Sequence, residues 1–426
     1  MSQRDGLTGP RTRSARRVGA APPQPSASIY FGNIVFFIEI DHYRRIASRP
    51  EIMSLPAPFP FVETSGSPYQ RGLQHGQAVP ERVAASIALY REQLLRRDVG
   101  EPQIRVLAQT MASCIERFDA DYLAEMRGIA DGAGVSLEDV IVINCRTEMM
   151  FGHDALVSNA RLADEPGDGC TGLIVLPDAS ETGRLIHAHN WDWREECTET
   201  GIVLRMQRGD GPDLLMFTEA GSLARHGFNS AGVSLTGNFL WSDRDYTKRA
   251  DVPLVLIRRK MLEAENLCQA MKLLWSVDRF CSNNLMLAQA GGEAVDLECA
   301  PDEIFWLTPE NGFIVHANHW ICPVARTKLR DLGPRANPDS IYRQRRVTAQ
   351  LSAARLETPH RIGWDTVKAA LADDFPAPDG VLRRPKPASH ASISATVATT
   401  LMDPADRRMW VARKPYEGIQ FTEYRL

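Results

Sequence analysis

Residues 165–193 read Glu165-Pro-Gly-Asp-Gly-Cys170-Thr-Gly-Leu-Ile-Val-Leu176-Pro-Asp-Ala-Ser-Glu-Thr-Gly183-Arg-Leu-Ile-His-Ala-His-Asn190-Trp-Asp-Trp193. Cys170 follows a flexible Gly-Asp-Gly and opens an apolar run, Leu173 to Leu176. Turn residues occupy Pro177 to Gly183, and a second run covers Leu185 to Trp193. Two strand-like runs around a turn cluster predict a β-hairpin. With the turn centred near residue 181, antiparallel pairing sets Cys170 opposite residues 191–192, beside Asp192. The hairpin is expected to bring a thiol and a carboxylate together at one open end of a sheet. A plainer alternative stays open on the hairpin alone: a small core residue beside a surface acid.

Outward from this hairpin, the chain divides by period. Residues 1–28 hold five Arg and one acid among Pro, Ser and Ala, a composition that cannot bury a core. Residues 1–56 are expected to be a disordered extension, or one lying largely ahead of a true translation start at Met53. Ile29 to Ile40 is apolar, but Glu39 and Asp41 interrupt it and no small-residue cleavage site follows, against a signal peptide. Residues 57–169 read as mostly helical. Gly72-Leu-Gln-His-Gly76 reads as a tight turn leading into a helix that carries Val83, Ile87, Tyr90 and Leu94 at helical spacing. Further helices are predicted over 103–118, 120–131 and 137–150, the last capped by Ser136. From 170 to 426 the period shortens to two. Hairpins are predicted around Arg208-Gly-Asp-Gly, Ser230-Ala-Gly and Gly291-Gly292, helices over 253–275 and 337–371, and strands at 392–402, 407–413 and 419–424. Hairpins broken by helical blocks indicate an α+β layered fold with antiparallel sheets.

Composition narrows the function. With 44% hydrophobic and 24% charged residues and a net charge of −4, the chain has the composition of a globular protein and no footprint for nucleic acid or an anionic membrane. No apolar run approaches the roughly 20 residues of a membrane span. The eight scattered cysteines form no Cys-x-x-Cys pair, which favours reduced thiols in a cytoplasm.

Several chemistries compete for the site. His187-x-His189 and His316-x-x-His319, with Asp192, offer metal-ligand types, although the spacing carries no distinctive signature. A papain-like thiol needs a helix N-terminus behind it, whereas Cys170 sits at a strand start without that family's local signature, and a serine hydrolase needs a Gly-x-Ser-x-Gly elbow, which the sequence lacks. A thiol at a strand start has one further route. Cutting the Gly169–Cys170 bond would make Cys170 N-terminal, and its new α-amine, with a reference pKa of about 7.7–8.0, could serve as base within the same residue.

Taken together, separated segments resemble the acyl-coenzyme A:6-aminopenicillanate acyltransferase family of autoproteolytic N-terminal-nucleophile hydrolases. The likeness runs over roughly residues 60–426. Asp168-Gly-Cys-Thr171 resembles the family's self-cleavage site, Asn190-Trp-Asp192 the segment whose aspartate orients the N-terminal residue, and His316-Ala-Asn-His319 the segment whose asparagine donates to the oxyanion. Gly227 to Val233, Arg127 to Gly132 and Asn144 to Glu148 add to the match. The resemblance implies a four-layer αββα sandwich that uses no metal and no cofactor. It also implies cleavage at Gly169/Cys170 into α- and β-chains, and catalysis by Cys170, Asp192 and Asn318. Asn190, Trp191 and Ser392 are expected to touch a small-molecule substrate, an acyl amide or acyl-CoA-like thioester. The sequence departs from the family at Ile393, where relatives carry a functional arginine. Either another cation (Arg383, Arg384 or Lys386) reaches the site, or the role is absent. A binding protein that has lost cleavage is the alternative Ile393 supports, and a metal-dependent hydrolase is a further one.

Overall fold

The computed structural model describes residues 55–157, 169–247, 252–357 and 361–426, with 153–157 described by backbone alone. Residues 1–54 of the extension expected over 1–56, and Asp168 of the expected cleavage motif, lie outside the described residues. The described chain opens with strand β1 (Phe61–Ser65), followed by helices α1 (Pro68–Ala78), α2 (Pro80–Leu95), α3 (Glu101–Phe118), α4 (Ala120–Ala133), α5 (Leu137–Asn144) and α6 (Arg146–Val157). Helix α2 buries Val83, Ile87, Tyr90 and Leu94, the predicted stripe. Its start at Val79 has no side-chain cap. A cap contributes about 1 kcal/mol, whereas burying one such side chain contributes about 1.5–3 kcal/mol, so packing decides the helix.

Two expectations fail in this region. The Gly72–Gly76 segment is the interior of α1, not a turn before it. Ser67 caps α1 through the Gln70 N–H, and Gln70 returns a bond to the Ser67 N–H. The glycines are there because α1 and α4 touch backbone to backbone: a Cβ on Gly72 or Gly76 would overlap Glu125 O or Ile129 O, and one on Gly128 or Gly132 would overlap Tyr69 O or Leu73 O. The helix read over 137–150 is two helices broken at Cys145. Beside the break, the Asn144 amide donates to Gly221 O and accepts from the Leu223 N–H, both at 2.9 Å, stitching this corner to the sheet region.

The remaining strands build two sheets. One runs β1–β4 (Gly201–Gln207)–β5 (Leu214–Glu219)–β6 (His226–Asn229)–β7 (Val233–Phe239)–β8 (Asn283–Gln289)–β9 (Ala294–Cys299)–β10 (Ile304–Leu307). The other runs β11 (Phe313–His316)–β2 (Gly169–Val175)–β3 (Ile186–Arg194)–β13 (Ser392–Asp403)–β14 (Arg408–Arg413)–β15 (Phe421–Arg425), with β12 (Lys386–Ala388) on β13. Every pairing is antiparallel except β1 with β4, which is parallel because β1 comes from the helical segment and not from a hairpin.

Helices α8 (Leu254–Leu262) and α9 (Leu267–Trp275) cover β6 to β8. Helices α12 (Asp339–Leu356) and α13 (Trp364–Leu371) cover β11, β2 and β3. The two sheets face each other through β2 and β3 against β7 and β8, giving the expected four-layer αββα sandwich. The block read as helix over 337–371 is α12 and α13 with a break between them. Short helices α7 (Cys197–Thr200), α10 (Pro323–Lys328) and α11 (Gly333–Ala336) fill connections. The described residues between 55 and 426 form one compact unit.

Alternation along the hairpin fixes what each face sees. Leu173, Val175, Ile186 and Ala188 pack outward under α12 and α13, while Ile174 packs inward on Met286 and Ala288. Inward histidines cross-link the sheets. His187 shares its ring nitrogens with Ser234 and Thr236, and His189 bonds Asn238, all at 2.9 Å. Burial pushes both imidazoles down to about 3, so they are neutral hydrogen-bonding groups. His187, His189, Asp192 and His316 do not converge, and the described residues hold no cluster of three ligand types that could hold a metal.

Candidate active site

The hairpin register sets Cys170 opposite Trp191 and Gly169 opposite Asp192. The expected neighbourhood is therefore present, with a correction. Directly paired residues share a face, so the Cys170 and Trp191 side chains point between the sheets, while Asp192 lies on the outer face. The backbone of Cys170, in the plane of the sheet, is what both faces can reach.

Around that backbone a buried network closes. The Cys170 N–H donates to Asn318 Oδ1 at 2.7 Å, and Asn318 Nδ2 donates to Phe239 O at 3.0 Å. Arg343 Nη2 donates to the same Oδ1 at 2.9 Å, and its Nη1 donates to Cys170 O at 2.7 Å and Thr171 Oγ1 at 2.9 Å. These partners fix the amide orientation: a flipped Asn318 would turn its donors on two other donors. One Nδ2 hydrogen is used by Phe239, and the second has no hydrogen-bond partner among the described residues. Arg343 is oriented by Asp339 at 2.7 Å, which also binds Arg383 Nη2 at 2.7 Å. Burial would raise Asp339, but Arg343 and Arg383 outweigh it and hold its carboxyl at about 2.

Arg383 lies directly on Gly169. A Cβ there would sit 2.5 Å from Arg383 Cζ. Its Nε is 3.7 Å from Asp192 Oδ2, which has no hydrogen-bond partner among the described residues, while Asp192 Oδ1 accepts from Thr396 Oγ1 at 2.6 Å. Burial pushes Asp192 up to about 6, with Arg383 pulling it back. Of the cations the sequence left open, Arg383 reaches the site. Arg384 pairs with Asp374 and Lys386 with Asp379 instead. Ile393 is part of the β12–β13 pairing, and its carbonyl accepts the Glu195 N–H.

The three residues expected to touch substrate have structural partners. Asn190 Nδ2 donates to Leu371 O and Val381 O, which uses both its hydrogens, and its Oδ1 accepts from Thr399. Trp191 is wholly buried beneath the Arg225 guanidinium, 3.5 Å from its ring centre. Ser392 Oγ accepts from Arg194 and donates to Ser389 O. Strand pairing, invisible in a local motif, supplies these partners.

The residues that sequence reasoning missed are Asp339, Ser340 and Arg343. Ser340 Oγ lies 2.7 Å from the Asn318 N–H it accepts and 2.8 Å from His319 Nδ1. A signal existed. Asp339, Arg343, Val347 and Leu351 recur every four residues on the buried stripe of α12, so two charges sit where a core helix ordinarily carries apolar groups.

Comparisons with known proteins add to this geometry. The family model for acyl-coenzyme A:6-aminopenicillanic acid acyl-transferase matches residues 179–414, a span that includes Asp192 and Asn318 and begins past Cys170. The 40 kDa form of acyl-coenzyme A:6-aminopenicillanic-acid-acyltransferase from Emericella nidulans is 28% identical over 318 residues, covering 73% of this chain and 80% of that protein. An uncharacterised Archaeoglobus fulgidus protein is 27% identical over 161 residues, 35% of this chain and 27% of its own. Among solved structures, a point mutant of conjugated bile acid hydrolase from Clostridium perfringens superposes with a TM-score of 0.45 at 13% identity, covering 60% of this chain and 92% of that one. Penicillin V acylase from Agrobacterium tumefaciens gives 0.37 at 12%, covering 60% and 86%.

Proposed function

The chain belongs to the acyl-coenzyme A:6-aminopenicillanic acid acyl-transferase family and is an enzyme, and on that premise we propose that it is a self-cleaving amidohydrolase or acyltransferase whose nucleophile is Cys170. The observation that carries the proposal is the buried network of Asn318 and Arg343. It grips the backbone of Cys170 on both sides: Asn318 accepts the N–H of the Gly169–Cys170 peptide, and Arg343 donates to the carbonyl of the next one.

In the first step the Cys170 thiol attacks the Gly169 carbonyl. The C–N bond breaks, the nitrogen takes up the thiol proton, and a thioester remains. Water hydrolyses it, giving chains 1–169 and 170–426. The freed α-amine is then the base within the same residue. Asp192, whose Oδ2 lies beside Arg383 but has no hydrogen bond among the described residues, accepts from that amine and holds it in place. The thiolate attacks the acyl carbonyl of an N-acyl amide or an acyl thioester. The spare N–H of Asn318 stabilises the oxyanion, a donor whose loss typically lowers kcat by about 10²–10³. Water or an amine then takes the acyl group from Cys170.

The test is the intact mass of purified protein beside Cys170→Ala. The wild type should yield two chains whose second begins Cys-Thr-Gly-Leu, and the variant one full-length species. A single full-length mass in both samples would refute the proposal.

A further inference from the structure

Beyond the residues that touch Cys170, the segment carrying Asn318 is itself held by one carboxylate. Glu298, on β9 of the opposite sheet, is fully buried. Its Oε1 accepts from His316 Nε2 at 2.9 Å and from the Ile321 N–H at 2.6 Å, and its Oε2 accepts from the Cys322 N–H at 3.1 Å. One side chain thus binds both ends of residues 316–322, with Asn318 on the arc between them. We infer that Glu298 is a positioning residue: it closes the 316–322 arc into the shape that presents Asn318 to Cys170. The inference rests on the proposed function, since it assigns Asn318 a part in the reaction.

The chemistry of the buckle requires an acceptor at both atoms. It accepts three hydrogen bonds and donates none, which a carboxylate does and an amide cannot do at both atoms. His316 matches it. Its Nδ1 faces Ala317 O at 2.9 Å while Nε2 faces Glu298, so both ring nitrogens point at acceptors and both carry hydrogen. The other charged or titratable groups about this imidazolium are Asp296 of β9, 4.0 Å away, and Asp331 and His319 on the following segment. The rest of the arc is pinned separately. Ser340 accepts the Asn318 N–H, Asp331 the Trp320 N–H and Trp241 O the Trp320 indole N–H. Loss of Glu298 would therefore loosen the ends without unfolding the loop. A small displacement of a group that must meet a transition state lowers turnover steeply while leaving binding little changed.

Glu298→Gln tests this because it keeps the side chain's volume and turns a donor on the Ile321 or Cys322 N–H. Hydrogen exchange of those two amides should speed up at least tenfold, with the melting temperature held within a few degrees. Self-cleavage and kcat on an N-acyl amide such as penicillin V should each fall at least tenfold, with KM unchanged. Unaltered exchange, or faster exchange with wild-type cleavage and kcat, would overturn the inference. So would a raised KM at constant kcat. A wild-type protein that neither cleaves itself nor turns over would instead refute the functional reading, and Glu298's part with it. The exchange data would then still tell that failure apart from a slack buckle.

Discussion

At Gly169 a single methyl group decides between two arrangements. A Cβ would fall 2.5 Å from Arg383 Cζ and Nη1 and 2.6 Å from Nη2, and that guanidinium is buried and bound to Asp339, so it cannot swing aside freely. Gly169→Ala should slow self-cleavage at least tenfold and destabilise the precursor by about 1–3 kcal/mol, the usual range for overpacking. Residue 169 becomes the freed end of the first chain, so the defect is expected first in cleavage, read as the rate at which the full-length mass disappears; cleavage at the wild-type rate would contradict the contact with Arg383. Asp192 gives a pH test. Burial raises its pKa from 3.8 to about 6, against the pull of Arg383. The carboxylate is the form that accepts from the amine, so it is present above pH 6 and lost as pH falls through about 6. Turnover should therefore fall on the acid side in two steps, as the Cys170 α-amine takes up a proton and then as Asp192 does, and the second step should be missing from Asp192→Asn, which should retain at most about one-hundredth of wild-type kcat. Rate against pH for both proteins measures it. The pairing of Cys170 with residues 191–192 was legible in sequence because the turn between the two runs fixes the index sum. The face was not: a turn centred half a residue away exchanges Trp191 and Asp192 across the sheet, and only the fold decides.

The contact of α1 with α4 shows the same division between pattern and geometry. Glycine reads locally as a turn signal, and Gly72 and Gly76 read so here. Their spacing of four residues, repeated by Gly128 and Gly132, is also what two helices need to touch along one face. A methyl at Gly72 would meet the Glu125 carbonyl, which is backbone and cannot rotate away. Gly72→Ala or Gly128→Ala should cost about 3 kcal/mol or more, the upper end for overpacking, despite alanine's better helix propensity. An exposed glycine is the control: Gly209 has nothing within 4 Å of its would-be Cβ, and Gly209→Ala should change stability by less than about 0.5 kcal/mol. Equal denaturation midpoints for the two sites would refute the backbone contact. Helix α12 was legible as a helix for its apolar period, but Asp339 and Arg343 on its buried stripe acquire meaning only when β2 and the 316–322 arc are laid against them.

The whole molecule is interleaved across the assigned cut. Among the described residues, those before Cys170 supply β1 and six helices, yet β1 pairs along its whole length with β4, from the other side of the cut. The largest apolar cluster draws on α2, α3, α4 and α5 from before the cut and on β4, β5 and β7 from after it. Buried ion pairs cross as well: Arg146 binds Glu219 at 2.8 Å, and Arg259 binds Glu125 at 2.9 Å. Removing either chain would leave such charges buried without partners, at about 3–5 kcal/mol for each pair, besides exposing the apolar cluster. Breaking one peptide bond releases none of these contacts. The two chains should therefore co-elute as one species on native size exclusion and separate only in denaturant, and a protein begun at residue 170 should fail to accumulate in soluble form. Dissociation of the chains after cleavage, or a soluble, folded 170–426 fragment, would show that the sheets and helices of this sandwich do not depend on each other as the shared core requires.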